Sequence, residues 1–351
     1  MTAAEKLRGL LPEGTAALIA NPANRRYLSE FFCSDGAVLL TAEKGWFLTD
    51  FRYIEAARQT VNGLECVCYR KLSDTLNELL RGTAELLVES RHTVLDAFYR
   101  LEKRLECPLC ADGRLDKWLS GLRAVKSESE RDAILRAQAL TQYGFDYILP
   151  RIAPGRSERE IALELEFAVR SAGADDVAFD IIAVGGPNSS LPHGVPGDRK
   201  LRRGDFLTLD FGVRLDGWHS DMTRTVAVGA ADGEMRRVYD SVLEAQQRCL
   251  AGLRSGITGA EADALARDVI AAAGYGEQFG HSTGHGVGLE VHEEPRLSSA
   301  NTDLLPTGAV VTVEPGIYLP GRFGVRIEDM VWLTADGCEN LTDVPKELIV
   351  L

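Results

Sequence analysis

Four carboxylates, Asp210, Asp221, Glu314 and Glu328, stand at or near the ends of β-like segments whose other residues are largely apolar. Within 205–229, two such segments flank Asp216-Gly217, a strong two-residue hairpin signal. If these two residues form the loop, Leu215 pairs with Trp218 and, counting outward, Gly212 pairs with Asp221. Asp210 then shares a face with Asp221 and lies diagonal to it, about 7 to 8 Å away between backbones. Thr208 and Thr223 fall on the same face. Two carboxylates directed into a mostly buried sheet repel each other and lose hydration, so a proton or a cation must compensate them.

The later sequence supplies matching groups. Glu314 closes Val310-Val-Thr-Val-Glu314 just before Pro315-Gly316, and Glu328 lies in Val325-Arg-Ile-Glu-Asp-Met-Val331. Read as one strand, the latter puts Arg326, Glu328 and Met330 on one face. Between these carboxylate pairs runs Gly280–His292, which holds His281, His285 and His292, three of the six histidines of the chain. One nitrogen among several oxygens suits Mn, Fe, Co or Zn better than Mg or Ca. Four carboxylates balance two divalent ions, and two ions about 3.5 to 4 Å apart can hold a bridging hydroxide as nucleophile. This chemistry is that of a hydrolase. Each residue alone also has an ordinary reading as a turn acid, an ion-pair partner or a satisfied polar side chain; the joint pattern carries the inference.

The elements that must position these groups show a weak internal repeat. Gly155-Arg-Ser157-Glu-Arg-Glu160 opens a helix running to Gly173, and Gly256-Ile-Thr258-Gly-Ala-Glu261 opens another running to Gly274. Both read as Gly, capping box, amphipathic helix and terminal Gly. Each is followed by a Gly-rich stretch containing histidine and then by a carboxylate-tipped strand. Two α/β halves facing each other would draw equivalent residues into one site. Before them, Ala37–Leu40 and Trp46–Leu48 alternate with turn residues and the pattern turns more helical from Asp74, so residues 1–122 form a mixed α/β domain. A capping box at Ser127-Glu-Ser-Glu130 starts the second domain, 123–351.

The whole chain has 351 residues, 39 Lys plus Arg against 52 Asp plus Glu, and a net charge of −13, which disfavours nucleic acid as a partner. No apolar run reaches the length of about 18 residues that a membrane span requires, and 1–14 lacks the apolar region of a secretory signal, so a cytoplasmic location is expected. Seven cysteines, an odd number in a chain too large to need disulfides, suit a reducing compartment. Cys107-Pro-Leu-Cys110 lacks a second CxxC and reads as structural thiols.

The residues resemble the metallopeptidase family of pita-bread fold, in its Xaa-Pro dipeptidase (prolidase) and aminopeptidase P branch. The match rests on Gly186-Pro-Asn-Ser-Ser-Leu-Pro-His193, Leu209-Asp-Phe-Gly212, Ser220-Asp-Met-Thr-Arg-Thr225, Gly284–Pro295, Val313-Glu-Pro-Gly-Ile-Tyr318 and Arg326-Ile-Glu-Asp329. Asn24-Arg-Arg-Tyr-Leu28 and Thr49-Asp-Phe-Arg-Tyr53 resemble, more loosely, the creatinase-type N-terminal domain of that branch. The implied fold is α/β (α+β), a creatinase-like N-terminal domain followed by a pseudo-twofold pita-bread catalytic domain.

The resemblance implies that Asp210, Asp221, His285, Glu314 and Glu328 hold two divalent ions per chain, manganese first with cobalt or zinc as alternatives. Glu314 would also act as general base, while His193 and His292 would contact the scissile peptide and stabilise the tetrahedral intermediate. His281 matches a histidine near the metals. Arg326 is expected on the substrate side, and Arg296 matches a position that grips a dipeptide carboxylate. Phe179 and Tyr318 are candidates for an apolar wall against proline, or for plain core. His219 and His92 are read as structural or exposed.

The implied activity is cleavage of the Xaa-Pro bond in dipeptides or short peptides, by a homodimer whose N-terminal domain borders the partner's active site. An aminopeptidase acting on longer peptides and a catalytically silent binding module on the same fold are the alternatives.

Overall fold

The structure, a computed structural model, describes residues 1–351 as two units, 1–123 and 124–351. The first unit is built on a six-stranded mixed sheet in the order Glu65–Cys68, Gly45–Thr49, Ala37–Thr41, Thr15–Ile19, Glu85–Val88, Leu109–Cys110. The central Ala37–Thr41 is antiparallel to both neighbours, and the outer pairings are parallel. Both faces are covered: Ala17, Ile19, Val38, Leu40 and Phe47 enter one core, and Ala16, Leu18, Leu39, Trp46 and Leu48 enter the other. Burial on both faces explains why these strands read as unbroken apolar runs. All seven cysteines are free thiols. No helix is long and apolar enough to cross a membrane.

In the second unit, Ser127 caps Glu128–Ile148 with its hydroxyl while Glu130 returns the bond to the Ser127 N–H. The internal repeat is a physical duplication. Ser157 and Glu160 form a capping box on Glu158–Ser171, as Thr258 and Glu261 do on Gly259–Ala272. In each half the segment before the helix pairs with an incoming strap: Gly155 N–H donates to Leu201 O and Leu201 N–H to Arg156 O, while Gly256 N–H donates to Leu305 O and Leu305 N–H to Ile257 O. Strands follow at Phe206–Phe211 and Val310–Val313. The first half packs around Phe145, Leu165, Leu207, Leu209 and Phe211, and the second around Tyr239, Val242, Ala266, Val311 and Val331.

The Asp216-Gly217 loop has positive φ at both residues, 48° and 72°, as a type I′ turn requires, and Leu215 pairs with Trp218. The same register continues through Phe211 to Met222 and Asp210 to Thr223. At the crossing between these ladders stands Gly212, where a Cβ would lie 1.8 Å from Ser220 O, so only glycine lets the strands stay in phase there.

One element departs from the sequence reading. Val325–Val331 is two strands: Phe323–Arg326 pairs with Gly316–Leu319, and Asp329–Leu333 joins the five-stranded sheet of the second half. The chain changes sheets at Ile327-Glu328, where Ile327 N–H turns to Pro315 O and Glu328 N–H to Thr223 O. Met330 therefore enters a core cluster with Ile134, Val287, Val310 and Leu341 instead of sharing a face with Arg326.

Replacing Gly212 by Ala forces the Asp221 strand away from the Asp210 strand. The expected cost is about 2 kcal/mol or more, read as a lower midpoint in urea unfolding; an unchanged midpoint would mean that the close crossing is not required.

Candidate metal centre

The duplicated strands deliver their carboxylates to one cavity of about 580 Å³. Asp210 and Asp221 come from the two sides of the first-half hairpin, Glu314 from the residue after Val310–Val313, and Glu328 from the sheet change. His285 lies in Gly284–Gly286, which packs antiparallel to Val310–Val313. Ligand atoms of Asp221, His285 and Glu328 lie within 4.8 Å of one another, and His285 Nε2 is 3.3 Å from Glu314 Oε1 and 3.6 Å from Asp221 Oδ2.

Hydroxyls from the same strands hold these groups in place. Thr223 Oγ1 donates to Glu328 Oε2 at 2.7 Å, and Thr312 Oγ1 donates to Glu314 Oε1 at 3.1 Å. Arg224, fully buried, donates to the carbonyls of Thr223 and Glu328 and pairs with Asp329 at 2.8 Å. Asp329 also accepts from Gln246, Asn340 and Lys346, so the backbone beneath Glu328 is tied to three further elements. The sequence reading missed this node, because Arg224 and Asp329 alternate with candidate ligands and read as ordinary strand charges.

The electrostatics are unfavourable for the protein alone. Burial, then the charges of Asp210 and Glu314, push the Asp221 carboxyl well above its usual range. Burial, then Asp221 and Glu314, do the same to Glu328. Burial raises Glu314 to about 7 even though Arg326 beside it opposes the shift. Burial, then His292, lowers His285 to about 3, so its ring is neutral. His285 Nδ1 lies 3.1 Å from Gly286 O; a proton there leaves Nε2 with its lone pair toward the carboxylates. Asp210 Oδ1 is buried without a hydrogen-bond partner. With Asp180, five carboxylates against Arg326 and Arg296 leave three formal negative charges in the cavity lining. A divalent cation fits this donor set, which combines one imidazole nitrogen with carboxylate oxygens.

Every other site residue named from the sequence lines the same cavity except Tyr318. His292 packs edge to face on His285, with ring centroids 4.4 Å apart, and burial followed by Arg296 lowers its pKa. His193 comes from the loop after Ile182–Gly185, and Phe179 from the approach to that strand. Arg296 makes no hydrogen bond or ion pair through its guanidinium, which leaves it free toward the cavity. Arg326 is engaged inside the protein: it pairs with Asp210 and donates to Thr223 Oγ1, Pro192 O and the Tyr318 hydroxyl.

Tyr318 lies behind the lining as a polar anchor, not as an apolar wall. Its hydroxyl meets Arg326 at 2.6 Å and His281 Nε2 at 2.9 Å. The apolar lining comes instead from Phe179, Ile181, Ile182, Pro192, Val195 and Pro196. Apart from Phe179, the sequence reading missed these residues, since apolar residues near Gly and Pro read as loop or core. His219 lies outside the lining and takes Gly288 O as backbone and ring partner, and His92 is exposed.

Replacing Thr223 with Val keeps the shape but removes the hydroxyl that orients Glu328. Manganese affinity, measured by titration calorimetry on chelator-stripped protein, is expected to fall about 10-fold to 100-fold. Unchanged affinity would show that the hydroxyl does not position Glu328.

The chain is similar in sequence and fold to known proteins. Residues 132–335 match metallopeptidase family M24, and residues 12–125 match the creatinase/prolidase N-terminal domain. An Xaa-Pro dipeptidase from Bacillus anthracis superposes with a TM-score of 0.96 at 41% identity, covering 99% of each chain. An Xaa-Pro dipeptidase of Pyrococcus horikoshii is 36% identical over 335 residues, 95% of this chain and 94% of that protein. An X-Pro aminopeptidase from Thermotoga maritima superposes with a TM-score of 0.90 at 36% identity over the full length of both chains.

Proposed function

This chain belongs to metallopeptidase family M24, with a creatinase/prolidase N-terminal domain, and from that premise we propose that it is an Xaa-Pro dipeptidase using two divalent ions. The observation that carries the reading is the convergence of Asp210, Asp221, His285, Glu314 and Glu328 on one cavity that also exposes an unpaired guanidinium, Arg296. Those five residues would hold the ions, with manganese favoured over cobalt or zinc. When bound, the ions supply Lewis acidity and a water acidic enough to attack a peptide carbonyl near neutral pH.

The remaining work falls to side chains. Arg296 grips the substrate's C-terminal carboxylate through its planar fork, which sets the distance from that carboxylate to the scissile bond. Phe179, Ile182 and Pro196 offer apolar surface to the pyrrolidine ring. Glu314 takes the proton of the attacking water and passes it to the prolyl nitrogen as the C–N bond breaks. His193 and His292 donate to the oxygen that gains charge in the tetrahedral state. The cavity has room for a dipeptide or short peptide and not for a folded chain.

An aminopeptidase reading has one specific support, the full-length similarity to the Thermotoga X-Pro aminopeptidase. The two readings separate on substrates. With manganese, Xaa-Pro dipeptides should be cleaved with kcat/KM about tenfold or more above Xaa-Pro-Yaa, because only the dipeptide places its carboxylate on a charged donor worth that much. Met-Ala-Yaa should be a poor substrate. Preference for Xaa-Pro-Yaa would establish the aminopeptidase instead. Arg296→Ala should raise KM for the dipeptide about tenfold or more and leave the tripeptide nearly unaffected; equal effects on both would remove Arg296 from the carboxylate site.

A further inference from the structure

Glu158 is fully buried at the start of Glu158–Ser171, and no ion pair meets its carboxylate. Backbone and amide donors surround it instead. Oε1 accepts from Gly185 N–H at 2.8 Å and Asn188 Nδ2 at 3.0 Å; Oε2 accepts from Gly197 N–H at 3.1 Å and Asn188 Nδ2 at 3.1 Å. Gly185 ends the strand Ile182–Gly185, and Gly197 begins the strap that returns over the helix start, where Arg159 N–H donates to Gly197 O and Glu158 N–H to Arg199 O. One carboxylate thus holds both ends of residues 186–196 and a side chain within them. That loop supplies Pro192, His193, Gly194, Val195 and Pro196 to the cavity.

The second half shows what the scaffold does without this group. Aligning the two capping boxes, Ser157 with Thr258 and Glu160 with Glu261, puts Gly259 at the position of Glu158. A Cβ at Gly259 would lie 2.2 Å from Arg296 O, so the helix start there packs directly on the strand Glu293–Leu297. In the first half the side chain at this position instead reaches Gly185, Asn188 and Gly197, the two ends and one side chain of the 186–196 loop. Between the two capping-box residues the first half thus carries a glutamate where the second carries a glycine, and the glutamate meets the histidine-bearing loop.

We propose that Glu158 is a positioning residue that clamps the 186–196 loop and thereby sets His193 over the cavity; the catalytic consequence rests on the Xaa-Pro peptidase reading given above. A carboxylate suits the task because both oxygens only accept. Glutamine at this position presents N–H groups where one oxygen stood, so either Gly185 or Gly197 loses its acceptor in a buried place.

The test uses full-length, manganese-loaded Glu158→Gln and Asn188→Ala, the latter removing one arm of the clamp and serving if the former folds poorly. Amide exchange across 184–198 should accelerate about tenfold or more in Glu158→Gln, and less in Asn188→Ala, with Val310–Val313 and Asp329–Leu333 unchanged. For an Xaa-Pro dipeptide, kcat should fall about tenfold with KM changed less than about threefold, and manganese affinity should hold. In a His193→Ala background the same substitution should cost less than about twofold, because the clamp acts on turnover through the placing of His193.

Unchanged exchange in the loop would overturn the clamp. An equal kcat penalty in both backgrounds, or a loss of manganese affinity that accounts for the activity, would overturn the link to His193. If the wild-type protein cleaved no Xaa-Pro substrate, the peptidase reading would fall with the link to His193, while exchange would still decide the clamp.

Discussion

Negative charge gathered where water is scarce is the constraint around which the second unit is built. Asp221 and Glu328 are nearly inaccessible, and both are driven toward the neutral form by burial and then by neighbouring carboxylates, Asp210 and Glu314 for the first and Asp221 and Glu314 for the second. Isolated buried carboxylates cost several kcal/mol each after relaxation, so a sheet carrying four of them around one cavity is tolerable only with compensation. Arg326 supplies part of it, through Asp210. The hydroxyls of Thr223 and Thr312 supply orientation without charge. What the side chains leave unmet, an oxygen of Asp210 and the Nε2 lone pair of His285, points into the same space.

Such a site depends on rigid support, and the duplication provides it. Two helix starts with reciprocal caps anchor two straps, and each strap feeds a strand with a carboxylate at or beside its end. Arg224 and Asp329 then lock the strand behind Asp221 to the strand behind Glu328, so residues far apart in sequence are fixed by one buried ion pair. The pair's net contribution to stability is secondary to this registration, since breaking one partner strands the other in an apolar setting. At Glu158 and Gly259 the halves differ, and the first-half residue holds the loop that carries His193 into the cavity lining.

The hairpin was legible in the sequence because Asp-Gly between β-rich runs fixes a two-residue loop, and a fixed loop fixes every pair beyond it, including the diagonal of Asp210 and Asp221. The duplication was legible because capping boxes and terminal glycines are local signals. The sheet change at Ile327-Glu328 was not, since apolar alternation runs through it unbroken and only Pro315 and Thr223, distant in sequence, take the freed N–H groups. Tyr318 was read as an apolar wall or as plain core; it is buried, but an aromatic ring gives no hint in the sequence that its hydroxyl will meet Arg326 and His281. Glu158 was hidden by its own helix: a glutamate beside an N-cap looks like one more favourable charge near the helix dipole, and nothing local shows that Gly185 and Gly197 will reach it.

The most direct test of the central claim is anomalous diffraction at the manganese edge from crystals of the chelator-stripped protein soaked in manganese. Two peaks should appear within the cavity, coordinated between them by Asp210, Asp221, His285, Glu314 and Glu328. A single peak, no peak, or ions bound to other side chains would contradict the claim that these buried carboxylates are arranged around a pair of cations.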